Sequence, residues 1–235
     1  MSRSGRRSGR DGQRPALHRG RIVEAAMDLA DRGDLSAVTM RAVASALGVE
    51  AMSLYNHIAN RADLLDAMVD RIFARIELPD TGDWRADLQL MARGTRTALR
   101  QHPWATGLLD SRRSPGEVTL QHHDHVLRVL GEAGFSPAMS IHVLALVDSY
   151  VYGSVIQESS LPFDDSQGQD DASRKLLEDL PAGRFPHLAE VARTRAELGR
   201  DAPGPEEEFE FGLQVIMSAL HPGMDERQPG IRTAG

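Results

Sequence analysis

The sequence predicts an all-α fold in two parts, and three observations carry that prediction. Apolar residues recur at three- and four-residue spacing along most of the chain, and no alternating strand pattern competes with them. Between residues 39 and 58 the helical pattern breaks at Gly48 and resumes within a few residues, the signature of a helix-turn-helix. Charge is divided by position: residues 1–61 hold ten Arg and six Asp or Glu, whereas residues 62–235 hold seventeen basic and twenty-eight acidic side chains. A basic head on an acidic body lets a chain of net charge −7 still meet nucleic acid through one local face.

Residues 1–17 are rich in Arg, Gly and Ser and have no hydrophobic period. They are expected to form a disordered arm, either solvated or in contact with phosphates. From His18 a first helix begins, with Ile22, Ala26, Leu29 and Ala30 at helical spacing and Gly33 closing it. Thr39 can accept a hydrogen bond from the orphan amides of a second helix, whose buried face is Val43, Ala44 and Leu47. Gly48 supplies the tight turn, and Val49, Leu54 and Ile58 tie a third helix back to this small core. Asn60 caps a fourth helix carrying Leu64, Leu65, Met68, Ile72, Phe73 and Ile76, which Pro79 stops. At roughly 1.5 Å per residue that helix would be about 24 Å long.

Asp83 is placed to cap a helix running to about Gln101, and Pro103 suits the first turn of a short one. The run from Ser114 to Glu117 has capping-box spacing with Pro115 at the first helical position, and Gly134 lies past the end of that helix. Ser136 and Pro137 open the most apolar helix, through Ile141, Leu144, Leu146, Val147, Val151, Val155 and Ile156. Residues 160–171 have little apolar content and read as a mobile loop. Two further helices are expected near 187–199 and 205–220, the last with Glu206, Glu207 and Glu208 at its positive end, and the tail after Pro222 should fray. The divisions are an arm at 1–17, a helix-turn-helix domain at 18–64, a connecting helix and linker at 65–82, a helical domain at 83–222 and a tail at 223–235.

Bulk composition narrows the function classes. At 235 residues, with 41% hydrophobic and 26% charged side chains, the chain is globular, and no apolar run is expected to reach the eighteen or so residues of a membrane span. The absence of cysteine excludes disulfides, thiol catalysis and cysteine-ligated zinc. The opening residues lack the apolar core of a secretory signal, so a cytoplasmic protein is expected. His122 and His125 lie three apart and admit a metal reading, but no further ligand pattern completes a site, and a polar helix surface is the simpler expectation. His142 and Asp148 inside the apolar helix need either a partner or exposure, which makes them pocket or interface candidates. Ala145, Ser149 and Gly153 repeat every four residues there, and Phe209, Leu213, Ile216 and Leu220 form a stripe on the last helix. These stripes either build a four-helix dimer interface or cover their own core.

The string RIVEAA at 21–26, followed by Thr39, Arg41, Val43, Ala44, Leu47, Gly48, Val49, Leu54, Tyr55, His57, Asn60, Arg61, Leu64 and Leu65, resembles the TetR family of bacterial repressors over about residues 20–76. Gly134, Phe135 and Ser136 before the long apolar helix are similar to the C-terminal domain of the tetracycline-repressor branch. The resemblance implies a homodimeric repressor on a palindromic operator, released when a small molecule binds the acidic helical domain. It places the DNA-reading positions at Arg41 on helix 2, at Ala51, Met52, Ser53, Tyr55, Asn56 and His57 on helix 3, and at Arg61 opening helix 4. The chemistry is consistent, since Arg41 can fork onto guanine and Asn56 onto adenine, while Ser53, Tyr55, His57 and Arg61 suit phosphates. Ala51 and Met52 could meet only apolar groups such as a thymine methyl, and Tyr55 could instead pack its ring in the core.

At positions where the tetracycline branch uses polar side chains, this sequence offers Glu77, Met91, Leu108 and Val126. An apolar or amphipathic effector other than tetracycline is therefore expected, anchored by Arg112 or Arg113. No cofactor, metal or membrane partner is expected. Two alternatives remain: a constitutive DNA-binding dimer with no effector, and a metal-dependent enzyme built on His122 and His125.

Overall fold

The computed structural model describes residues 16–109, 115–160, 175, 177–181 and 183–223. The expectations for the Arg-rich arm before residue 16, for Ser114, for the 161–171 stretch and for the tail from 224 lie outside them. The described residues form helices and no strand. The chain divides into two compact units, residues 1–64 and 65–235.

The first unit holds α1 (Arg19–Arg32), α2 (Met40–Leu47) and α3 (Ala51–Leu54). Its boundaries follow from local chemistry. The His18 ring accepts from the Arg21 amide, and Gly33 closes α1. The Thr39 hydroxyl accepts from the Ala42 amide at 3.1 Å, and Gly48 adopts the left-handed conformation at φ 66°, where a side chain would be strained. Ile22, Ala26, Val38, Val43, Leu54, Ile58 and Leu64 are fully buried or nearly so, and burying each of the branched side chains among them stabilises the unit by roughly 1.5–3 kcal/mol. Leu47 and Val49, expected in this core, are only half-buried.

Two expectations about helix length are corrected. The third helix is a single turn, because the Tyr55 amide donates to the Met52 carbonyl three residues back, and the His57 and Ile58 amides both return to the Leu54 carbonyl. Tyr55, Asn56 and His57 thus lie in a turn after α3 and not on it. The fourth helix, α4 (Arg61–Phe73), starts as expected with the Asn60 carboxamide accepting from the Asp63 amide, but it ends six residues before Pro79. Arg75 and Ile76 bond to carbonyls three residues back, so the last turn tightens and keeps Ile76 buried without extending the helix.

The second unit contains α5 (Trp84–Gln101), α6 (Thr106–Leu109), α7 (Glu117–Glu132), α8 (Pro137–Ser160), α9 (Pro186–Leu198) and α10 (Pro205–Ala219). Asp83 caps α5, and Gly134 follows α7 with φ 92°, as the sequence indicates. The start of α7 differs: Gly116 is the N-cap and Pro115 precedes the helix. An added Cβ at Gly116 would sit inside the carboxylate of Asp70 on α4, which instead accepts from the Thr119 hydroxyl at 2.7 Å and amide at 3.4 Å. A side chain of α4 therefore occupies the position of the missing cap.

The core of this unit joins Leu88 and Met91 of α5, Val126 and Leu130 of α7, Val143 and Val147 of α8, and Phe209 and Leu213 of α10. Arg96, only 3% exposed, fixes three helices at once: its guanidinium pairs with Glu158 of α8 and Glu206 of α10 and lies 4.5 Å from the Phe209 ring centre. Arg85 donates to the Met217 and Leu220 carbonyls, closing the C-terminal end of α10. By length and composition α8 is apolar enough to span a membrane, its 24 residues including an eighteen-residue window of mean hydropathy 1.4, although Ser140, His142, Asp148 and Ser149 break any continuous apolar run. It packs Val143, Val147, Val151 and Val155 inside the protein.

Candidate nucleic-acid interface and ligand cavity

In the first unit the turn at Gly48 and the single-turn α3 leave a short segment on the surface. Met52 is 75% exposed and Tyr55 46% exposed, while Leu54 and Ile58 on the other side of the same turn are fully buried. Tyr55 therefore does not pack its ring in the core. Asn56 and His57 are exposed, Ala51 and Ser53 half-buried, and Arg41 is exposed on α2. Met52, Tyr55, Asn56 and His57 thus face outward from one short stretch whose inner side, Leu54 and Ile58, is buried.

Two arginine clamps brace this unit, one on the segment itself and one on the loop before α2, and neither was evident from sequence. Arg19 donates to the His57 carbonyl at 3.1 Å and to both oxygens of Asp63, which also accepts from the Ala59 amide. The Arg19 hydrogen bond holds the Asp63 carboxyl below the usual carboxylate range, with the Ala59 amide adding to it. Arg61 donates through Nε to the Val38 carbonyl at 2.8 Å and through Nη2 to the Leu35 carbonyl at 2.7 Å. Arg61, expected as a phosphate donor, thus spends two of its five N–H groups on the loop before α2. The partners of these clamps are 23 to 44 residues apart, and no local pattern announces them.

In the second unit a cavity opens between α5, α7 and α8, lined by Leu88, Met91, Ala92 and Thr95, by His122 and Val126, and by Leu144, Val147, Asp148 and Val151. The cavity is narrow, about 20 Å³, room for one water-sized body. Of the expected effector residues the cavity brings together Met91 and Val126. Glu77 is exposed in the stretch after α4 unwinds, and Leu108 is buried on α6, so neither lines it. Arg112 and Arg113 lie outside the described residues.

The cavity has one polar corner. His122, expected on a polar helix surface, is 5% exposed, because its place three residues after Thr119 and four before Val126 puts it on the buried stripe of α7. Both its ring nitrogens lack a hydrogen-bond partner, and the Phe73 ring of α4 meets it edge-on at 5.1 Å. Burial, aided by the neighbouring His123 and His125, brings its pKa down to about 4. Burial pushes the Asp148 carboxyl up to about 7, with the His123 ring 3.9 Å away. His125 meets the Pro79 carbonyl at 2.8 Å instead of joining His122, and no group of three metal-binding side chains occurs among the described residues. His142 is exposed.

Residues 22–68 match the family described as bacterial regulatory proteins, tetR family, and residues 78–222 match the tetracyclin repressor-like C-terminal domain. The chain belongs to the TetR family. It is 35% identical to the HTH-type transcriptional repressor DrrR1 of Streptomyces coeruleorubidus over 92% of this chain and 82% of that protein. It is 30% identical to the class A tetracycline repressor protein from transposon 1721 of Escherichia coli, over 85% and 88% respectively. Among solved structures it is similar to ActR of Streptomyces coelicolor in complex with actinorhodin, with TM-score 0.71, 26% identity and coverage of 87% of this chain and 95% of that one. The protein is accordingly a DNA-binding transcriptional repressor of the TetR family and not an enzyme. The helix-turn-helix at its N-terminal end and the helical C-terminal domain are the two parts of that fold.

Proposed function

We propose that the protein binds a palindromic operator as a homodimer and leaves it when a small apolar or amphipathic molecule other than tetracycline enters the cavity between α5, α7 and α8. The observation that carries the DNA half is the segment from Ala51 to His57, which exposes Met52, Tyr55, Asn56 and His57 over the buried Leu54 and is tied at its end by Arg19. Arg41 and Asn56 read base edges, Ser53, Tyr55, His57 and Arg61 meet phosphates, and Ala51 and Met52 touch apolar groups. One such segment spans too few base pairs for useful discrimination, and two related by a twofold axis about one DNA turn apart read a palindrome. The protein works in the cytoplasm, where its DNA is.

Dimerisation uses the outer faces of α8 and α10. Phe209, Leu213 and Leu220 are buried in their own core, and Ile216 packs against it, so the expected stripe on the last helix is not the contact surface. Phe211 at 71% exposure and Val215 at 50%, with Leu146 and Ile156 on α8, offer the apolar face instead. Ala145 and Ser149 are exposed on α8 and allow close approach.

A ligand shifts an equilibrium only by binding one state better than the other. His122 touches both the cavity and Phe73, and α4 runs unbroken from Phe73 back to Arg61, so α4 is the element through which occupancy acts. The test selects bound fragments from random DNA and then measures their release by candidate compounds. A twofold-symmetric motif and ligand-dependent release are expected, whereas no selected motif would refute the DNA half. A second reading, a dimer that binds DNA with no effector, draws on the narrowness of the cavity, and unchanged operator affinity with every compound that binds the protein would favour it.

A further inference from the structure

Four buried side-chain polar atoms lack a hydrogen-bond partner among the described residues; two are the ring nitrogens of His122 and a third is Nε2 of His123. Native proteins leave few such groups unpaired, and both nitrogens of one ring in the wall of an apolar cavity, with a third next to them on the same helix, mark a place where something else completes the bonding. The rest of the lining is apolar apart from Thr95 and Asp148, and it contains no Arg or Lys.

We infer that His122 is the polar anchor of this cavity, and that the ligand it selects is an uncharged, mainly apolar molecule presenting a hydroxyl or carbonyl group, not an anion. The inference rests on reading the cavity as the effector site and adds the chemistry of its occupant. A neutral imidazole offers one donor and one acceptor, which matches a hydroxyl or a hydroxyl beside a carbonyl. The wall explains why His122 stays neutral: its pKa is brought down to about 4 by burial and by the histidines beside it. An anion would enter an apolar space with no counter-charge and with Asp148 in its wall, and would lose its hydration without return. A cation would lose its hydration in the same apolar wall that keeps the imidazole uncharged, with Asp148 as the one carboxyl group in the lining to meet it. The cavity is narrow, about 20 Å³, so an occupant must part its side chains, and flat fused bicyclic probes are chosen because they slide between α5, α7 and α8 with little parting.

The experiment uses the full chain and four probes of one shape: naphthalene, 2-naphthol, 2-naphthoate and 2-naphthylmethylammonium. Affinities at pH 7 are read by calorimetry and by chemical shifts of the Met91 methyl and the His122 ring. We expect 2-naphthol to bind about tenfold or more tightly than naphthalene, since a buried imidazole left unpaired is costly, and both charged probes to bind more weakly than 2-naphthol. His122→Leu should reduce 2-naphthol to the naphthalene level, and His122→Gln, which keeps a donor and an acceptor, should restore part of the difference. Equal binding of 2-naphthol and naphthalene, a preference for either charged probe, or an unaltered preference in His122→Leu would overturn the anchor while leaving the cavity reading standing. Failure of all four probes to bind would overturn both. Operator binding without probe, measured separately, keeps either failure distinct from a failure of the DNA reading.

Discussion

Arg41 and Arg61 carry the same charge in the same unit, but the structure gives them different duties. Arg41 is exposed on α2 with its fork available for a base edge, so Arg41→Ala should weaken operator binding by roughly 1–3 kcal/mol and relax base preference while leaving thermal unfolding unchanged. Arg61 ties down the Leu35 and Val38 carbonyls, so Arg61→Ala should weaken all DNA sequences alike and also lower the melting temperature. A melting temperature unchanged in Arg61→Ala would show that the clamp contributes nothing. His122 and Asp148 make a second pair with opposed effects. Because folded His122 titrates at about 4 and not at the ordinary 6.5, the unfolded chain takes the proton first as pH falls. Its contribution is intact above pH 6.5 and is lost between 6.5 and about 4, an amount of about 3 kcal/mol. Asp148, raised from 3.8 to about 7, acts in reverse: its contribution is full below 3.8 and fades as pH rises toward 7. Unfolding in urea should therefore show a shallow pH dependence for the native sequence between pH 4 and 6.5. Asp148→Asn should lose stability steadily as the pH falls through that window, and a profile parallel to the native one would refute the assignment.

At the scale of helices, what could be read from the sequence was whatever depends on neighbours in the chain. Thr39, Asn60 and Asp83 cap where they should, and Gly48 and Gly134 turn where they should, because each acts within four residues. The brevity of α3 and the early end of α4 escaped, since the apolar spacing continues through Ile58 and Ile76 while the backbone tightens beneath it. In the candidate sites, Met91 and Val126 were legible as apolar lining, whereas His122 looked like surface and proved to be wall. Its spacing from Thr119 and Val126 held the signal, and the run of three histidines and an aspartate obscured it. The clamps of Arg19 and Arg96 were out of reach, because their partners arrive from other helices. Arg96 is the more consequential: Arg96→Met would leave Glu158, 14% exposed, with only Arg100 at 3.2 Å to offset its charge. A loss of about 3 kcal/mol in chemical denaturation is expected, and a loss well under 1 kcal/mol would mean that Arg100 suffices.

For the molecule as a whole, the outer face of α8 and α10 decides whether two reading segments can act together. Phe211→Glu places a charge on the most exposed large apolar residue of α10, so sedimentation should report monomers and operator affinity should fall by orders of magnitude, with the helix content of each chain intact. A dimer that survives the change would move the interface elsewhere. The contact of Gly116 with Asp70 reaches further than its size suggests. A methyl at position 116 would take the place of that carboxylate, so Gly116→Ala turns the Asp70 side chain away from Thr119. Such a chain would keep its cavity and lose a tether between two helices, and amide exchange at Thr119 faster than in the native chain is the sign of it.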